Sequence, residues 1–159
     1  MTGAPLAILL LSSLIALGFA AQATDGTPKG LAPCPSTPNC VSSFAEDPSK
    51  ALPPLAYDLP EKQVMDLIRE IVESSARARV VAENPLYLGA EYRSRLFRFV
   101  DDVEFALDPE AKRIHFRSAS RTGHYDWGVN WRRMERFCQR LAQQEGITIT
   151  RARAPFENR

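Results

Sequence analysis

The chain has 159 residues, 45% of them apolar, with 20 basic and 19 acidic side chains and a net charge of +1. That length fits one domain with a buried core, and the composition excludes a disordered or fibrous chain. The near-neutral charge argues against nucleic acid as a partner.

Residues 4–23 are nearly all apolar, with a hydrophobic stretch from Leu6 to Phe19 and a small-x-small sequence at Ala21-Gln22-Ala23. Residues 1–23 therefore read as an export signal. The first residues carry no Lys or Arg, and the run approaches the ~20 residues that cross a bilayer. An uncleaved anchor, attaching the domain to a membrane through residues 4–23, is the alternative. No Cys stands directly after the run to carry a lipid.

Residues 24–59 are rich in proline with little periodicity and read as an extended segment, either a spacer or a strap along the domain. Val41, Phe44, Leu52 and Leu55 favour a strap. In an exported chain, Cys34 and Cys40 are expected to form a disulfide closing the loop CPSTPNC. Their spacing is not the two-residue spacing of a redox pair or a zinc knuckle, and no metal is expected. Cys138 falls on a helix face as a core thiol.

Residues 60–159 read as the globular part. Asp58 as a cap and Pro60 in the first turn open a helix whose face is Val64, Leu67, Ile68, Ile71 and Ser75. Arg79 to Glu83 and Leu86 to Ser94 read as strands around Asn84-Pro85, with a turn near Arg95 to Phe97. Arg98 to Leu107 and Arg113 to Ser120 form a hairpin around Asp108-Pro109-Glu110-Ala111. A symmetric turn sets Leu107 against Lys112, Phe105 against Ile114, Val103 against Phe116, Glu104 against His115 and Asp102 against Arg117.

That register puts Asp101 on the apolar face near Ser118 and Ser120, where a carboxylate needs donors from the serines or from the next helix start. A bulge at Asp101-Asp102 would turn one acid outward. After a turn at Arg121-Thr122-Gly123, Asp126 or Asn130 caps a second helix reaching about Glu145, with Trp127 or Trp131, Met134, Phe137, Cys138 and Leu141 inward. Ile147 to Thr150 gives a last strand, and a basic tail follows. The fold class expected is α+β, a two-layer sandwich of a mainly antiparallel sheet of about five strands with two helices on one face, in the order α-β-β-β-β-α-β.

CPSTPNCVSS, FVDDVEF and RSASRTGHYDWGVNWRRME, in that order, resemble the bacterial and plastid family known as domain of unknown function 1499, over roughly Leu31 to Leu141. The resemblance implies a small exported or membrane-attached domain with no agreed activity. Its recurring polar pattern maps onto Cys34, Pro38, Asn39, Cys40, Asp101, Asp102, Arg117, Ser118, Ser120, Arg121, Gly123, Asp126, Gly128, Asn130 and Arg133. Trp131, where a polar or basic residue is expected, and the missing lipid-attachment cysteine are departures.

Three functional readings follow. In the first, a periplasmic or envelope-associated module binds or scaffolds an anionic small molecule, a lipid headgroup or an envelope protein, without cofactor. Its site is Asp101, Asp102, Arg117, Ser118, Ser120, Arg121, Asp126, Asn130 and Arg133. Between Lys112 and Arg140 eight basic residues face only Asp126 and Glu135 as acids, which supports an anion. In the second, an ester or phosphate hydrolase uses Asp101 with Ser118 or Ser120 and the Arg117 and Arg121 guanidinium groups, but no nucleophile elbow, P-loop or HExxH is present. In the third, the same polar residues tie the hairpin to the second helix. The first is favoured.

Overall fold

A computed structural model describes residues 30–94 and 99–150. The leader, the turn near Arg95 to Phe97 and the basic tail lie outside the described residues. Among those described, no helix is long and apolar enough to cross a membrane. The elements in chain order are β1 (Cys40–Ser42), β2 (Leu55–Tyr57), α1 (Glu61–Glu73), β3 (Ala78–Asn84), β4 (Tyr87–Arg93), β5 (Val100–Asp108), β6 (Arg113–Ser120), α2 (Val129–Leu141) and β7 (Ile147–Ile149). The protein is an α+β domain of two helices and a mainly antiparallel seven-stranded sheet.

The count exceeds the five strands expected because the proline-rich segment supplies two of them. β3, β4, β5 and β6 run as a meander, and the far edge of β6 is shared end to end. β1 pairs with its second half (Val41 opposite Ser118) and β2 with its first (Leu55 opposite Ile114), while β7 closes the sheet against β2. Short strands between prolines carry too little periodicity to announce themselves, although Val41 and Leu55 were visible as apolar residues in need of a partner.

The hairpin register differs from the symmetric expectation by two residues. Asp108 pairs with Arg113 across a loop of Pro109 to Lys112, so Phe105 faces Phe116, Glu104 faces Arg117, Ala106 faces His115 and Asp101 faces Ser120. Asp108 Oδ1 accepts from the Glu110 and Ala111 amides at 3.0 and 2.9 Å, and Lys112 completes the loop in the left-handed region, φ 52°. A two-residue slip keeps every side chain on its face and changes only its partner. The expected Asp102 with Arg117 and Glu104 with His115 pairs are thus replaced. Pairing runs unbroken through Asp101 and Asp102, so the acids sit on opposite faces without a bulge.

Both helices pack on the face that carries Leu88, Val103, Phe105, Leu107, Ile114 and Phe116. α1 contributes Val64, Met65, Ile68, Ile71 and Val72, and α2 contributes Met134, Phe137, Cys138 and Leu141, all to one buried cluster. Phe137 stacks on Phe105 at 4.4 Å between ring centres. α1 starts after Pro60 without a side-chain cap, since Asp58 instead donates its amide to the Gly146 carbonyl at 2.8 Å. α2 ends at Leu141, short of Glu145. Trp131 packs on the core, whereas Trp127 is 79% exposed.

Candidate functional site

Read row by row, the helix-facing side of the sheet changes character. The rows Leu107 with Ile114 and Leu88 with Phe105 and Phe116 are apolar. The last row, Tyr92 with Asp101 and Ser120, is polar. A buried carboxylate at that end needs donors, and the first turns of α2 deliver them.

Arg133 Nη2 donates to Asp101 Oδ2 at 2.5 Å and Ser120 Oγ donates to Asp101 Oδ1 at 2.6 Å, so both carboxylate oxygens are engaged. The other Arg133 nitrogen, Nη1, donates to Asn130 Oδ1 at 2.6 Å and to Ser118 Oγ at 3.1 Å. Ser118, fully buried, donates to Asn130 Oδ1 at 2.5 Å. Asn130 Nδ2 donates to Ser120 Oγ, Asp126 Oδ2 and the Asn39 carbonyl at 3.0, 2.8 and 3.1 Å.

Asp126 organises the helix entry. Its Oδ1 accepts from the Gly128 amide at 2.9 Å and its Oδ2 from the Asn130 amide at 2.8 Å, satisfying donors that a helix start leaves open. Asn39, buried on the strap, donates to the Gly123 carbonyl at 2.6 Å and ties the preceding turn down. The network joins β1, β5, β6 and α2 at one corner.

The opposite face holds a second, separate cluster. Arg121 grips Asp102 through Nε and Nη2 at 2.9 and 2.7 Å and reaches Glu91 at 2.7 Å. Arg79 and Arg93 also meet Glu91 at 3.3 Å. The Arg121 guanidinium, followed by the two other arginines, holds the Glu91 carboxyl below its ordinary range. Arg117 pairs with Glu104 at 2.8 Å, and Tyr87 donates to the same carboxylate at 3.0 Å. Burial, then the Glu104 charge, pushes the Tyr87 hydroxyl up to about 12.

Beside the buried corner a cleft of about 460 Å³ opens between the end of α1, the end of β4 and the length of α2. Arg77, Arg93, Arg133, Arg136 and Arg140 line it, together with Tyr92 and Val129, and Asp101 is its one carboxylate. Arg133 lies over the Tyr92 ring at 4.8 Å. Arg77 donates to the Arg93 carbonyl and Arg140 to Ser74 Oγ. Among the described residues, Arg77, Arg136 and Arg140 have no carboxylate partner.

The sequence profile of the family described as Protein of unknown function (DUF1499) matches residues 30–141, from the strap to the end of α2. The chain belongs to that family. No curated protein matches it.

In this DUF1499 chain the nine residues singled out from sequence divide between two faces. Asp101, Ser118, Ser120, Asp126, Asn130 and Arg133 form the buried corner, whereas Asp102, Arg117 and Arg121 lie behind the sheet. Arg117 and Arg121 therefore do not flank Asp101 as anion clamps, because odd-numbered residues of β6 point away from the helices and Arg121, just past its end, keeps to the same side on Asp102 and Glu91. Cys34 and Cys40 form the expected disulfide. Cys138 is a buried free thiol that burial pushes up to about 12. Of the cleft arginines, sequence reasoning named only Arg133, although Arg133, Arg136 and Arg140 at i, i+3 and i+7 already mark one stripe of α2. Arg77 and Arg93 become their neighbours only through the β3 to β4 hairpin. Among the described residues no cluster of His, Cys, Asp and Glu suits a metal ion.

Proposed function

We propose that this DUF1499 domain is an exported, envelope-associated binding module, and that its ligand is an anion held in the arginine-lined cleft along α2. The observation that carries this reading is the charge imbalance of the cleft: among the described residues Arg77, Arg136 and Arg140 line it without a carboxylate partner, and its one carboxylate, Asp101, already has both oxygens engaged. Guanidinium groups gathered at a concave, partly buried surface focus a positive potential, and their planar forks match phosphate and carboxylate geometry. Export is supported by the leader-like residues 1–23 and by the Cys34–Cys40 disulfide, which persists in oxidising compartments.

The hydrolase reading has less support. Asp101 is saturated by Arg133 and Ser120, and Ser118 is fully buried between Asn130 and Arg133, out of reach of a substrate. The two arginines assigned to it lie across the sheet.

The test is titration of the full chain with inorganic pyrophosphate, read by calorimetry and by thermal melting. Saturable binding that raises the melting temperature is expected. Arg136→Ala with Arg140→Ala should abolish it, while Arg132→Ala, an exposed arginine of α2 outside the cleft, should not. Absence of binding, or equal loss in the Arg132 variant, defeats the proposal.

A further inference from the structure

The rim of the cleft at Val129 continues into exposed aromatic chain. Tyr125 is 58% and Trp127 79% exposed in the turn that leads into α2, and Val129, the first residue of the helix, is 41% exposed. Such side chains at the tip of a domain remain in water at a cost unless a second surface covers them.

The turn is built to present them. Trp127 adopts φ 55° and Gly128 φ 70°, a left-handed pair that is unfavourable for a bulky residue. The Asp126 carboxylate holds this shape through the Gly128 and Asn130 amides. The Tyr125 and Trp127 rings meet edge to face, 5.2 Å apart at 85°. They prop each other up and make no single flat platform of the kind on which a sugar would stack. Each carries a polar group on an apolar body, the chemistry suited to a membrane interface. Arg132 lies beside Gly128 at the base of the turn, and the cleft arginines of α2 begin with the next residue, Arg133.

We infer that the anion bound in the cleft is the phosphate headgroup of an anionic bilayer, and that Trp127 and Tyr125 enter the interface beside it. This rests on the anion-cleft reading above and adds the source of the ligand. A protruding aromatic pair next to guanidinium groups matches the two layers of a lipid surface, acyl boundary and phosphate, which lie side by side. A flat apolar patch with a polar rim, the usual mark of a protein partner, is not what this tip presents.

The chain contains two tryptophans, Trp127 and Trp131, so Trp131→Phe leaves Trp127 as a lone reporter. This variant of the full chain is mixed with phosphatidylcholine vesicles, with or without phosphatidylglycerol, whose acyl chains carry bromine. Quenching of Trp127 by the bromines reports its depth. Depth is the needed readout, because the apolar residues 4–23 are suited to entering vesicles by themselves. Strong quenching is expected with phosphatidylglycerol and weak quenching without it, with the excess falling roughly fivefold for each of Arg136 and Arg140 replaced by Ala. Unquenched Trp127 in both vesicles, or equal quenching that ignores the arginine substitutions, overturns the inference. If pyrophosphate still binds the cleft while Trp127 stays unquenched, only the bilayer falls. Loss of both removes the cleft reading as well.

Discussion

Arg133 and Asp101 form an ion pair 2.5 Å long in which both side chains are largely buried, with 14% and 7% of their surfaces exposed. The same guanidinium fastens Asn130 and Ser118 through its other nitrogen. Replacing Arg133 by Ala leaves a buried carboxylate with one hydroxyl donor. A loss of roughly 3–5 kcal/mol in urea unfolding is expected, the range for breaking such a pair from one side. Arg133→Lys should be nearly as harmful, because a single ammonium cannot serve Asp101 and Asn130 in the fork geometry. A loss of less than about 1 kcal/mol for both variants would show that water reaches the pair and screens it.

Asn130 is the hub at which the strap, β6 and the entry to α2 meet. Its oxygen accepts from Arg133 and Ser118 and its nitrogen donates to Asp126, Ser120 and the Asn39 carbonyl. Asn130→Ala should lower stability by about 1–3 kcal/mol through unsatisfied buried groups. Asn130→Asp keeps the shape but sets a carboxylate oxygen against Asp126 and a carbonyl, so it should cost more than Ala does. The reverse ranking in thermal melting would mean that the network tolerates a third negative charge beside Asp101 and Asp126 and that Asn130 is not its donor.

The hairpin, both helices and the burial of Asp101 beside serines were legible because each rests on a local pattern: alternation in β5 and β6, or helical spacing in Val64, Ile68 and Ile71. Partner identity was not, since the four-residue loop sits one position further along the chain, taking in Lys112 and releasing Asp108 to β5, which slides the pairing by two and moves Arg117 from Asp102 to Glu104. β1 and β2 were illegible for another reason. Three-residue strands are stabilised by the edge of β6 that receives them, which no local pattern reports. The cleft is a product of tertiary assembly, bringing Arg77 and Arg93 from one hairpin to the stripe on α2.

The Cys34–Cys40 disulfide encloses a loop with a sequence separation of 6. Closing so short a loop removes little entropy from the unfolded chain, about 2 kcal/mol on the chain-entropy account. It also holds the strap residues that lead to Asn39 in β6's neighbourhood, where Ser120 donates its amide to the Asn39 carbonyl at 3.1 Å. Cys34→Ser with Cys40→Ser should thus leave a folded domain with a modestly lower urea midpoint, and dithiothreitol should reproduce that midpoint in the wild type. Complete unfolding of the reduced protein would show that the strap depends on the staple for all of its ordering.

His115 gives the chain a built-in acid sensitivity. It is buried behind the sheet, with Phe44 at 4.2 Å between ring centres and Ser43 Oγ 3.2 Å from Nδ1. Burial pushes its pKa down from 6.5 to about 4, against a smaller opposing effect of Asp108, while Arg113 adds to the depression. The folded protein therefore keeps His115 neutral where the unfolded chain protonates it. Between about pH 6.5 and pH 4 the unfolded state binds the extra proton, so stability falls as the pH falls through that window and this contribution levels off below it. A shift of this size corresponds to at most about 3 kcal/mol. His115→Gln retains a side chain that can bond Ser43 and cannot take up the proton. The difference in unfolding free energy between pH 7 and pH 4.5 should be smaller in the Gln variant than in the wild type, the carboxylates common to both cancelling. Equal pH dependence in the two proteins would mean that His115 is charged in the folded state and that the pocket behind the sheet is wet.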